Sequence, residues 1–211
     1  MLSLFSISAA SANSFASEAF GACASEQAAV DVGQALEAIG WRLAERSIPL
    51  PARAVLRDGI LAAMHTDHEV PIDWSATALA ASRYLANLTY PYQSGEQAIL
   101  LVAGENEAVL AVSNDLEAPG FNGIHCIFGG PADESFSFLF EQGLQMQTTA
   151  GIGQASQGLE IVTLRRLQDD DLGRETVFDT QMGRFTEAFI EEVGREFAAE
   201  VGFSLIYYVE R

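Results

Sequence analysis

The chain contains no lysine: its 11 basic residues are all arginine, set against 29 Asp and Glu for a net charge of −18. A surface this acidic, with no basic cluster, is repelled by phosphate backbones and anionic lipid, which argues against nucleic acid and membrane surfaces as partners. No apolar run approaches the roughly 18 residues a membrane-spanning helix requires. Histidine is scarce, at three. The Gly-x-Ser-x-Gly turn of serine hydrolases is missing. So is the His-Glu-x-x-His spacing of zinc hydrolases, and with no lysine there is no phosphate-holding P-loop. Nothing in the sequence requires a cofactor, and none is expected.

What is present suits a folded protein. The 211 residues are 49% hydrophobic and only 19% charged, enough to bury a sizeable core and too apolar for a disordered chain. Residues 1–12 read as a candidate signal peptide: a short apolar stretch, Leu2 to Ala10, runs into the small-x-small tripeptide Ala10-Ser11-Ala12, although no arginine precedes it. The two cysteines, Cys23 and Cys126, are far apart and lack Cys-x-x-Cys spacing. This suits one disulfide tying the N-terminal segment to a mid-chain strand, and places the protein in the periplasm or outside the cell. The alternative is a cytoplasmic protein with two buried thiols.

Hydrophobic periodicity divides the remainder, residues 13–211, into elements of a single α+β domain. Ala29, Val32, Leu36, Ile39 and Leu43 recur at helical spacing and predict one helix capped by Ser25. Pro51 opens a second helix through Val55, Leu56 and Ile60, and a third follows Pro71. Two apolar runs, 97–103 and 107–113, flank Gly104-Glu105-Asn106 and predict a β-hairpin; Phe121 to Phe128 supplies the next strand. Asp133 and Glu134 open a helix, and residues 147–158 read as a flexible connector. Beyond it come strands near 159–167 and 176–180, an amphipathic helix from Phe185 to Phe197 stopped by Gly202, and a strand from Phe203 to Val209. The expected fold is α+β: N-terminal helices, then a mainly antiparallel sheet of five or six strands with helices packed on it.

Candidate chemistry is sparse. His65, Asp67 and His68 form one local group of metal-ligand types, with two His at i and i+3. Tyr90 and Tyr92 flank a proline and suit a ligand or partner surface, each offering apolar area with a polar tip. His125 lies beside Cys126, but neighbours on a strand point to opposite faces, so the two cannot form a Cys–His pair. The expectation is therefore an acidic exported protein that binds a partner or a small ligand without catalysing a reaction. The alternatives are a metal-dependent hydrolase centred on His65, Asp67 and His68, or a cytoplasmic accessory protein whose negative surface docks on a basic partner.

Overall fold

Strands whose two faces are both covered lose the alternation of apolar and polar residues. The run Ala98-Ile-Leu-Leu-Val-Ala103 has this character, and the computed structural model shows the cause: helices lie on both sides of one antiparallel sheet. The structure describes residues 14–25, 28–44, 49–64, 79, 83, 98–115, 121–150, 159–169, 175–194 and 196–210. Its elements are α1 (Phe15–Ser25), α2 (Ala29–Glu37), β1 (Arg42–Leu43), α3 (Leu50–Met64), β2 (Ala98–Ala103), β3 (Ala108–Asp115), β4 (Phe121–Gly130), α4 (Glu134–Ala150), β5 (Leu159–Asp169), β6 (Glu175–Phe185), α5 (Glu187–Val193) and β7 (Val201–Glu210). The seven strands run in the order β1-β2-β3-β4-β7-β6-β5, so the last strand in sequence inserts between two hairpin-built halves.

The α+β class and the antiparallel sheet are as expected; among the described residues the sheet has seven strands, not the expected five or six. The β2–β3 hairpin turns through Gly104 and Asn106, both at positive φ. The N-terminal helices differ from the periodicity. The single helix expected from Ser25 to Leu43 is instead the end of α1, the separate α2, and then strand β1. Helix α2 is stopped by a Schellman motif: Gly40, at φ 103°, donates its N–H to the Glu37 carbonyl, and Trp41 donates to Leu36. Ile39 and Leu43, assigned by spacing to the buried stripe, are consequently exposed. Helix α5 is also shorter than expected. Thr186 caps it, and Gly194 ends it in the left-handed conformation, leaving Phe197 in a loop, stacked on Phe185 at 4.0 Å.

Gly202, expected to terminate that helix, lies inside β7 because α3 needs the space above it. Gly129 of β4, Gly202 of β7 and Gly183 of β6 stand side by side in register, and α3 rests on this glycine row. A Cβ on Gly202 would lie 2.0 Å from the carbonyl oxygen of Gly59 in α3; one on Gly183 would lie 1.7 Å from that of Ala62. On this side the core is Val55, Leu56, Ile60, Val102, Val109, Ile127, Phe185 and Phe189. On the other side α1, α2 and α4 cover Leu101, Leu110, Ile124, Phe128 and Phe203, with Phe20 set edge-on to Phe136, Phe178 and Phe203.

Cys23 of α1 and Cys126 of β4 are both fully buried and joined in a disulfide, as expected from the sequence. The expected signal peptide (residues 1–12), the helix following Pro71 and most of the connector at 147–158 lie outside the described residues.

Gly183→Ala should lower unfolding free energy by about 3 kcal/mol or more, because the methyl group meets helix backbone that has no rotamer to yield. Gly21→Ala, at an exposed position of α1 with open space at its Cβ, should raise it by roughly 0.5–1 kcal/mol. Urea denaturation of both variants reads the contrast. Reducing the Cys23–Cys126 bond, which spans 103 residues, should remove about 4–5 kcal/mol, measured by denaturation with and without reductant.

Candidate functional site

The α3 side of the sheet changes character one row beyond the glycines. The first row reads Leu100, Ala111 and Ile127 across β2, β3 and β4, then Ser204, Gln181 and Thr163 across β7, β6 and β5. The next row reads Ala98, Ser113, His125, Ile206, Asp179 and Arg165. Polar side chains thus gather on one face of adjoining strands, most of them half-buried. At the centre of this patch His125 Nε2 lies 2.9 Å from the hydroxyl of Ser204, a diagonal contact across β4 and β7. Cys126 points to the opposite face, into the disulfide, as the alternation of strand residues requires.

A hydroxyl hydrogen-bonded to an imidazole is the starting pair of nucleophilic catalysis. Among the described residues the strands around it do not extend that pair. His125 and Ser204 lie on interior strands, each with a ladder neighbour on both sides, so the nearby amides are committed to the sheet and not aimed at a developing oxyanion. Asp179 stands two strands from His125, about 10 Å across the sheet, too far for the register itself to complete a triad. Among the described residues, no group of three or more His, Cys, Asp and Glu is placed to hold a metal ion.

The opposite face carries a charged cluster. Arg184 of β6 bonds Glu160 of β5 at 2.5 Å and Glu141 of α4 at 2.7 Å, with its guanidinium 4.9 Å from the centre of the Phe140 ring. Burial works to lower the Arg184 pKa, but hydrogen bonds and charge from the two carboxylates outweigh it and hold the pKa above the ordinary guanidinium value. The cluster clamps α4 to the β5–β6 hairpin. A second clamp is Asp133, whose Oδ2 accepts from Ser17 N–H of α1 at 2.7 Å and whose Oδ1 accepts from Phe136 N–H of α4 at 2.8 Å. One carboxylate therefore serves two helix N-termini, where backbone donors and dipoles both favour negative charge.

Comparison with protein-family models, with curated proteins and with solved structures finds no match. The functional reading therefore rests on this chain's own geometry.

Of the residues singled out in the sequence, Cys23 and Cys126 are brought together. His65, Asp67, His68, Tyr90 and Tyr92 lie outside the described residues. The His125–Ser204 pair was missed because its members are 79 residues apart and meet only through the strand order. Polar residues at every second position of the later strands, Asp179 and Gln181 above all, were the available signal.

Asp133→Ala should cost about 2–3 kcal/mol, since two helix ends lose their acceptor together. Asp133→Asn, with one carbonyl oxygen, should cost roughly half as much. Equilibrium denaturation of the two variants measures both.

Proposed function

We propose that this is an acidic exported protein, periplasmic or secreted, that binds a partner or a small ligand and catalyses no reaction. The observation that carries the reading is the fully buried Cys23–Cys126 disulfide, a bond that persists in oxidising compartments and is rare in the reducing cytosol. The half-buried polar rows around His125 and Ser204 supply donors and acceptors on a rigid sheet face, which suits recognition of a polar group. The net charge of −18 favours partners with complementary positive charge and disfavours nucleic acid.

One observation favours a second reading. The 2.9 Å contact between His125 and Ser204 is the geometry of an activated serine, which would make the protein an acyl-transfer enzyme. The ladder amides on both strands weigh against it, as described above. The metal-dependent hydrolase centred on His65, Asp67 and His68 draws on residues outside the described set, and the cytoplasmic accessory protein draws on charge alone.

Two measurements decide between these readings. Protein recovered from its native cells should appear in the periplasmic or extracellular fraction, with both cysteines resistant to alkylation until reductant is added. Recovery from cytosol with both thiols open to alkylation would overturn export. A fluorophosphonate probe should leave Ser204 unmodified; an adduct on Ser204 that disappears in His125→Ala would replace the binding reading with the enzymatic one.

A further inference from the structure

The two halves of α1 are held in different ways. In the first half side chains do the work. Ser17 N–H donates to Asp133 at 2.7 Å, Glu18 accepts from Trp41 Nε1 at 2.9 Å, Phe15 stands edge-on to Trp41 at 5.9 Å, and Phe20 enters the aromatic cluster. The second half, Gly21-Ala22-Cys23-Ala24-Ser25, carries no side chain larger than cysteine. Its buried residue is Cys23, and the bond from Cys23 to Cys126 is a covalent hold on the sheet.

Local physics gives this half little reason to stay helical without that bond. Gly21 is exposed, with open space where a Cβ would lie, and glycine inside a helix gives up more backbone freedom than any other residue. Ser25 turns its hydroxyl back onto the carbonyls of Gly21 and Ala22, at 2.8 and 3.3 Å, a bond that weakens helices slightly. The last turn has no basic residue to meet the negative end of the helix dipole. Ala22 and Ala24, partly buried on the core, offer one methyl group each, and burial stabilises in proportion to area. A helix of 11 residues does not persist in water unless it is packed.

The burial of the sulfurs adds a second constraint. Cys23 and Cys126 are both fully buried, and Cys126 is flanked in the ladder by Val112 and Leu205, buried as deeply. A disulfide forms by exchange, which requires an oxidant to reach one of the thiols. Reaching Cys126 through the sheet would break its pairing with β3 or β7; lifting the end of α1 would break neither. We infer that Gly21–Ser25 is a redox latch, undocked while the cysteines are thiols and docked onto β4 when the Cys23–Cys126 bond forms. In the closing step the thiolate of one cysteine attacks an oxidant disulfide, such as glutathione disulfide, and expels one of its thiolates. The thiolate of the other cysteine then displaces the second. The chain loses two protons and two electrons, and the oxidant becomes two thiols. The latch needs only an oxidant; under the export reading it closes as the chain leaves the reducing cytosol.

The test uses the full chain in vitro, where localisation does not enter. Hydrogen exchange read by mass spectrometry compares the disulfide form, the dithiol form reduced in urea and refolded, and the double variant Cys23→Ala with Cys126→Ala. In both forms that lack the bond, protection at residues 21–25 should fall about 100-fold further than protection in β4 and β7. Gly21→Ala, which favours the helix, should recover roughly two- to fivefold of it in the dithiol form. Iodoacetamide should alkylate both thiols of the refolded dithiol chain at a rate that urea leaves nearly unchanged until the sheet unfolds. Unchanged protection at 21–25, an equal loss across α1 and the sheet, or alkylation only where urea unfolds the sheet would overturn the proposal.

Discussion

Backbone-to-backbone contact between α3 and the sheet is the constraint on which the rest of this structure depends. Helices ordinarily stand off a sheet by the length of their side chains. Here Gly59 in α3 and the in-register glycines of β4, β7 and β6 remove those side chains, and the helix settles onto the strands. The approach fixes where α3 crosses the sheet, and so which part of that face it leaves to the polar rows around His125. It also brings Asp58, a fully buried carboxylate, to the loop before β7, where it accepts from Ala198 N–H at 2.8 Å while paired with Arg57 at 2.7 Å. The loop is thereby tied to the helix that the neighbouring glycine admits.

Much of the architecture was legible in the sequence, for identifiable reasons. The β2–β3 hairpin is written in two apolar runs around Gly104, and the start of α4 in Asp133 followed by Glu134. The disulfide followed from the isolation of two cysteines. The errors share a cause: a glycine read in the wrong role. Gly40 ends α2, yet Ile39 and Leu43 extended the helical spacing past it and looked decisive. Gly194 ends α5, but Gly202 was given that task, although its place is in a strand beneath a helix. Periodicity reports which residues are apolar; it does not report whether a glycine serves a turn or a close approach. The His125–Ser204 pair and the Arg184 cluster depend on strand order, which no local pattern encodes.

The acidic composition also acquires a structural division of labour. Several carboxylates act inside the fold: Asp133 serves α1 and α4, Glu18 accepts from Trp41 Nε1 at 2.9 Å and from the Ser14 hydroxyl, and Glu160 anchors Arg184. Asn114 adds a neutral counterpart, accepting from Ala29 N–H at the start of α2. Two helices on one side of the sheet, α1 and α2, are thus fixed at their N-termini by side chains from elsewhere in the chain, while α4 is capped by the adjacent Asp133. Glu37, Glu105, Glu187, Glu191 and Glu196 are exposed, and they give the surface its sign.

The position of β7 governs the order in which this protein can be made. Strands β1 to β4 form one sheet fragment and β5 with β6 another, and each has a raw margin until the final strand enters between them. A chain emerging from the ribosome cannot close its core while residues 201–210 remain in the exit tunnel, however long its earlier segments have been free. Until that moment the glycine row on which α3 rests lacks its middle member, and Phe203 is absent from the aromatic cluster around Phe20. The fold is therefore completed at its centre, by a strand made after every other strand of the sheet.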